Sequence, residues 1–294
     1  MRLKSIAVLV SGALLSAASV AAELPQRWVS SGGSLTEWIV ELGGQERLVG
    51  VDSTSVYPPA LRELPSVGYQ RALSAEGILA LKPDLLIGSE EMGPPPVLGQ
   101  LQAAGVKVQS LSSAAELDAL QGNIEQLGLL LGASEQAQAA IKAYRESLDQ
   151  QAERVASISA NQESPRVLML LGQGGGNLLA AGEQTLATWL IERAGGLSVI
   201  KHDGYKSLSG EAILALDPQV LLVADRALQG QEALDALLQH NPLLAQTSAG
   251  RDGRVLVIDP TLLVGGLGPR LPQQVEALVN AFYPTQADVT EAKQ

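Results

Sequence analysis

The chain predicts an α/β protein built as two similar lobes with a ligand cleft between them, and three observations carry that prediction. The first is an internal repeat. Leu73-Ser74-Ala75-Glu76-Gly77-Ile78-Leu79-Ala80-Leu81 leads through Pro83 to Leu85-Leu86-Ile87-Gly88. Leu208-Ser209-Gly210-Glu211-Ala212-Ile213-Leu214-Ala215-Leu216 leads through Pro218 to Val220-Leu221-Leu222-Val223. Each copy reads as a capped helix followed by a short buried strand, and one unit used twice implies two lobes. The second is alternation: short apolar runs alternate with helical patterns, as in βα units on parallel-type sheets. The third lies between the copies. From Ala114 to about Ala156 the helical pattern hardly stops, and its last stretch has no strand partner.

Taken in order, Arg2 and Lys4 precede an apolar run from Ile6 to Leu15 and then small residues to Ala22. That is the order of a cleaved export signal, expected at 1–22, with cleavage after Ala22. The N-terminal lobe is expected over 23–132. Trp28-Val29-Ser30-Ser31 reads as a strand, Ser34 as the cap of a helix through Trp38 and Leu42, and Leu48-Val49-Gly50-Val51 as a second strand. Tyr57 to Pro65 is irregular and leads into a loop at Gly68-Tyr69-Gln70-Arg71. Ser74 caps the repeated helix. Leu85 to Gly88 is a strand, Pro94-Pro95-Pro96 opens a helix to Ala104, and Val106 to Leu111 is the next strand.

A linker helix is expected over 133–160, capped by Ser134 after a break at Gly132. The C-terminal lobe, 161–284, opens with the strand Val167 to Leu171. Its helix from Thr185 through Trp189 to Glu192, before Gly195-Gly196, echoes Ser34 through Trp38 to Glu41 before Gly43-Gly44. The repeated helix at Ser209, the strand Val220 to Ala224, a helix over Gln231 to Leu238, the strand Val255 to Ile258 and a last helix to Phe282 complete it. Residues 285–294 read as a loose polar tail. The fold class is thus two Rossmann-like lobes with parallel-type sheets joined by a single long helix.

Composition narrows function. There is no cysteine, so disulfides and thiolate metal sites are excluded. The net charge of −11 becomes −13 once Arg2 and Lys4 leave with the export signal. An acidic protein is poorly suited to nucleic acid or anionic membrane. The glycine cluster Gly172-Gln173-Gly174-Gly175-Gly176-Asn177 has neither the Lys-Ser/Thr of a phosphate loop nor dinucleotide spacing. The only histidines, His202 and His240, have no metal-ligand neighbour at helical spacing, and no Gly-x-Ser-x-Gly nucleophile turn occurs. Enzymatic chemistry is not expected.

Tyr69 and Arg71 remain. Tyr69 follows Gly68 in a loop at the rim where α/β sheets bind ligands. Arg71, two residues on, shares its side if the loop is extended. A free phenol titrates near ~10, and a neighbouring cation favours the phenolate, a hard oxygen known as an axial haem ligand. Glu76 and Glu211 are a matched pair at helix N-termini, where carboxylates complement the dipole.

On the segment Val67-Gly68-Tyr69-Gln70-Arg71-Ala72-Leu73-Ser74-Ala75-Glu76-Gly77, and over most of Trp28 to Tyr283, the sequence resembles the haem-binding periplasmic proteins of bacterial haem-uptake ABC transporters. The resemblance implies that Tyr69 ligates ferric haem with Arg71 beside it. It places Arg226 on the other side of the haem, with Lys206 and Tyr205 as further candidates for that wall or for the propionates. It implies a monomeric periplasmic carrier whose Glu76 and Glu211 dock on an ABC permease dimer. Relatives that stack two haems carry a His in the loop that here reads Gly172-Gln173-Gly174, so one haem is expected. A siderophore or corrinoid carrier on the same frame is the alternative.

Overall fold

A computed structural model describes residues 24–172, 178–225 and 230–284, with side chains for all but 230–233. The expected export signal, Gln173 to Asn177 of the glycine cluster, Arg226 and the tail lie outside the described residues.

In the N-terminal lobe the chain runs β1 (Trp28–Ser31), α1 (Gly33–Glu41), β2 (Leu48–Val51), β3 (Gly68–Tyr69), β4 (Ala72–Leu73), α2 (Ala75–Ala80), β5 (Leu85–Ser89), α3 (Pro95–Ala103), β6 (Lys107–Leu111) and α4 (Leu117–Leu131). Strands β2-β1-β5-β6 form a sheet paired in parallel throughout. The helix α5 (Ser134–Ser159) follows, then the C-terminal lobe: β7 (Arg166–Gly172), β8 (Leu178–Ala181), α6 (Leu186–Arg193), β9 (Leu197–Ser198), β10 (Tyr205–Ser207), α7 (Gly210–Leu216), β11 (Val220–Ala224), α8 (Gly230–His240), α9 (Pro242–Ala245), α10 (Ser248–Arg251), β12 (Val255–Ile258) and α11 (Leu271–Phe282). Its sheet has the order β10-β8-β7-β11-β12, with β9 also on β7.

The repeat is visible in three dimensions. β1-β5-β6 of one sheet corresponds to β7-β11-β12 of the other, and both copies of the repeated helix are capped alike. Ser74 Oγ accepts from Gly77 N at 3.2 Å and Ser209 Oγ accepts from Ala212 N at 3.2 Å. The second sheet departs from the parallel expectation at one edge, where β8 runs antiparallel to both β7 and β10. Its strands are too short to announce themselves by alternation.

Two predicted caps are corrected. The N-cap of α1 is Gly32, at φ 109°, and Ser34 lies inside the helix. Neighbouring loops satisfy the first N–H groups: Gly33 N donates to Thr54 Oγ1 at 3.0 Å and Ser34 N to Val264 O at 3.0 Å. A helix start buried against partners needs no local cap. Likewise α5 begins after Ala133, with no side-chain cap from Ser134.

The linker expectation holds for α5, whose 26 residues span roughly 39 Å at the helical rise. Its buried residues Ala137, Ile141, Tyr144 and Leu148 fall at steps of four, three and four, one stripe of the helix. That stripe belongs to a single apolar core that includes Trp28, Trp38 and Leu85 of the first lobe and Val167, Ala194 and Val279 of the second. Trp38 and Tyr144 meet with ring centroids 5.7 Å apart. A linker sharing the core of both lobes resists wide hinge motion, because packed interiors are not continuously deformable.

The lobes also meet directly. Trp38 Nε1 donates to Leu267 O at 2.7 Å. Arg270 forks onto Glu37, Nε to Oε2 at 2.8 Å and Nη2 to Oε1 at 2.5 Å, and also reaches Asp259 Oδ2 at 2.8 Å. Gly265 and Gly266, both at positive φ, let this returning segment approach Gly32; a Cβ on Gly265 would stand 3.3 Å from the Gly32 carbonyl carbon.

Candidate binding cleft

Between the lobes lies a cleft of about 640 Å³ at the carboxyl ends of both sheets, where open α/β sheets bind ligands. Its two walls differ. The N-terminal lobe contributes Tyr69, Gln70 and Arg71 from the β3–β4 turn, Glu90 and Glu91 after β5, and Ser113 to Ala115 after β6. The C-terminal lobe contributes Leu171, Leu179, Leu186, Leu263 and Val264, with Gln184, Thr185 and Tyr205. One wall is polar and carries a phenol; the other is mainly aliphatic.

The loop expected at Gly68 to Arg71 is a two-stranded hairpin in which Tyr69 pairs with Ala72 and Gly68 with Leu73. Gly68 has φ 95°, a left-handed geometry that suits glycine. The hairpin is held from both sides. Ser53 N donates to Gly68 O at 2.7 Å, Gly93 N to Gln70 O at 2.9 Å, and Leu73 N to Gly93 O at 2.8 Å. Tyr69 itself remains 45% exposed at the cleft. Gln70 is almost fully buried beneath it, and its Oε1 stands 3.4 Å from where a Cβ on Gly32 would lie.

Arg71 also lines the cleft and is already engaged: its Nη2 lies 2.6 Å from Glu91 Oε1. Gln70 Nε2 donates to Glu91 Oε2 at 3.2 Å. Glu91 was not singled out in the sequence. Its signal was weak, one of two adjacent glutamates just past a strand end. Gly265 and Gly266, which also line the cleft, were equally missed; a double glycine after a strand was the available clue.

Tyr205 reaches the cleft from β10. Burial pushes its phenol up, a hydrogen bond with Thr185 opposes this, and the Glu91 charge adds to the rise. It therefore stays a neutral hydroxyl. Lys206, the next residue on the strand, is exposed and lies outside the cleft lining, because neighbours on a strand point to opposite faces. Arg226 lies outside the described residues. His202 is not part of the lining either; its ring packs over Gly182, where a Cβ would come within 2.5 Å of Nδ1. His240 ends α8 and its Nδ1 lies 2.7 Å from Ala236 O.

Glu76 and Glu211 are both exposed in the first turns of α2 and α7, one per lobe. Glu211 is held below the ordinary carboxylate range by its own backbone N–H and by Ser209. Among the described residues no helix is long and apolar enough to cross a membrane, and no group of three or more metal-ligating side chains occurs.

Comparison with known proteins places this geometry. A periplasmic haem-binding protein from Pseudomonas aeruginosa is 57% identical, with a TM-score of 0.86 over 89% of this chain and 94% of that one. The periplasmic haem-binding protein BhuT, solved with two haems, is 36% identical with a TM-score of 0.77, covering 87% of this chain and 97% of its own. A vitamin B12-binding protein of Pectobacterium carotovorum is 27% identical over 216 residues, 73% of this chain and 76% of that protein. The periplasmic binding protein family matches residues 29–262, and the chain belongs to it.

Proposed function

We propose that this protein is a non-enzymatic periplasmic carrier that captures ferric haem between its lobes and delivers it to an inner-membrane ABC permease. The observation that carries the reading is the asymmetry of the cleft. A phenol on a braced hairpin faces a wall of Leu171, Leu179, Leu186, Leu263 and Val264. A porphyrin is a flat apolar disc with one metal at its centre, and this arrangement offers one hard oxygen to the metal and aliphatic contact to the ring. Tyr69 is the ligand in this reading, because it stands exposed at the cleft on the braced hairpin, whereas burial pushes the other cleft phenol, Tyr205, up. Tyr205 then serves as a hydrogen-bonding group at the rim, and Arg71 and Arg226 supply positive charge. The identity to haem-binding relatives supports the cargo.

One haem per protein is proposed, since no histidine occurs at 172–177 to hold a second. Export through a signal cleaved after Ala22 would deliver the protein to the periplasm, where it acts as a monomer. Glu76 and Glu211, matched in position and exposed, would meet basic residues on the two halves of the permease. The rival cargo is a corrinoid, favoured by the B12-binding relative; it needs no phenolate.

Optical titration of the apo-protein with haemin decides between them. Wild type should bind one equivalent with a tyrosinate-type ferric spectrum, and Tyr69→Ala should weaken binding by about 100-fold or more, the loss of a bond worth several kcal/mol. Tight cobalamin binding, or unchanged haemin affinity in the variant, would overturn the assignment. Glu76→Ala with Glu211→Ala should leave that titration unchanged and slow haem transfer to permease-containing vesicles.

A further inference from the structure

Glu90 and Glu91 follow β5 side by side and both line the cleft, yet they are held differently. Glu90 Oε1 accepts from Ser113 N at 3.1 Å and Ser113 Oγ at 3.2 Å, tying the end of β5 to the loop after β6. Glu91 accepts instead from Arg71 and Gln70, the two residues of the turn next to Tyr69. Among the described residues Arg71 is the one cation lining the cleft. The Arg71 and Glu91 side chains are 57% and 34% exposed, so in open cleft water screens them. Cargo that covers them removes that water and strengthens every charge interaction there.

Ferric haem with both propionates ionised, bound through a phenolate, is net anionic. It is stabilised by each positive charge left free beside it. Arginine has several N–H donors in a fixed fork, so Arg71 keeps Glu91 while still donating to cargo, but the carboxylate offsets its charge. We propose that Glu91 is a positioning residue that sets the rate of haem release: it pins Arg71 to the N-terminal wall and withholds part of its attraction for the anionic complex. A carrier must let go of its cargo, and this pair limits how tightly the polar wall holds on. The inference rests on the Tyr69–haem reading.

The test is stopped-flow transfer of ferric haem from the loaded protein to excess apo-globin, with association measured separately. Glu91→Gln is nearly isosteric and removes one charge. It should slow release about 5- to 10-fold, less than the couplings measured between close desolvated charge pairs because this pair is partly open to water, while changing association less than about twofold. Glu90→Gln reports the direct effect of one carboxylate fewer, and Glu91→Gln should exceed it at least about threefold. In an Arg71→Ala background, Glu91→Gln should slow release no more than Glu90→Gln does. Equal effects of the two glutamates, or a full Glu91→Gln effect without Arg71, overturns the proposal. The phenolate-to-iron charge-transfer band separates this from the underlying reading. Its absence in wild type, or its survival in Tyr69→Phe, removes the ligand assignment; its presence with unaltered release in Glu91→Gln removes only the role of Glu91.

Discussion

Two arginine–glutamate pairs in this protein have the same chemistry and opposite settings. Arg270 and Glu37 join the lobes through side chains 19% and 4% exposed. The guanidinium there forks onto the carboxylate, reaches Asp259 and stacks 4.1 Å from the Tyr57 ring centroid. Arg71 and Glu91 sit in the cleft, more open to water, with one contact at 2.6 Å. Desolvation makes the difference. Breaking a buried pair strands a charge that water cannot reach, whereas an exposed pair can be unmade with little loss. The first pair is suited to fixing how the lobes meet, and the second to being renegotiated when cargo arrives.

The comparison can be broken most directly at Arg270. Arg270→Ala should lower the unfolding free energy by about 3–5 kcal/mol, read from urea titrations of the apo-protein. A loss below about 1 kcal/mol would put this pair in the same class as surface pairs. A smaller effect sharpens the electrostatics. Burial holds Glu37 above the ordinary carboxylate range, outweighing its bonds to Arg270. A raised carboxyl contributes stability that is present at low pH and lost as pH rises through its folded value. Wild type should therefore lose ground to Glu37→Gln as pH rises from about 4 toward neutrality. A wild-type advantage that grew over that window would reverse the sign. Asp259 works the other way: burial raises it, but its bonds to Arg270 and Thr261 outweigh burial and hold it low. Its contribution is present above the ordinary aspartate range and disappears as pH falls through its lowered value. The smallest effect is expected at the open pair. Arg71→Ala should change apo-protein stability by less than about 1 kcal/mol, checked by the same urea titration, though it removes the cation beside the proposed ligand.

The repeat made much of the frame legible. Ser74 and Ser209 cap their helices as read, because a Ser before a helix with a free N–H in reach is a local device. The α5 stripe was legible for the same reason: its period belongs to one element. The cap read at Ser34 failed because distant chain segments reached that helix start first, and at Ser134 the helix begins one residue earlier, after Ala133, without a side-chain cap. Val264 lies 230 residues from Ser34, and no local pattern announces such a meeting. The antiparallel edge of β8 and β10 was hidden by strand length. In the cleft lining, Tyr69 and Arg71 were singled out from residue type and position beside a turn, and Tyr205 only through the family resemblance. Glu91, Gln70 and the Gly265-Gly266 segment were not, since their roles come from what they face.

Sequence alone determined the duplicated α/β frame, the long helix between its halves and the phenol at the mouth of one of them. Those follow from periodicity, capping chemistry and turn residues, which act over a few positions along the chain. Tertiary structure decided which wall of the cleft is aliphatic, that Arg71 meets a carboxylate before it meets any cargo, and that Arg270 crosses to Glu37. Each of these is a contact between residues far apart in the chain, and burial, which sets what a charge is worth, exists only once the chain has folded.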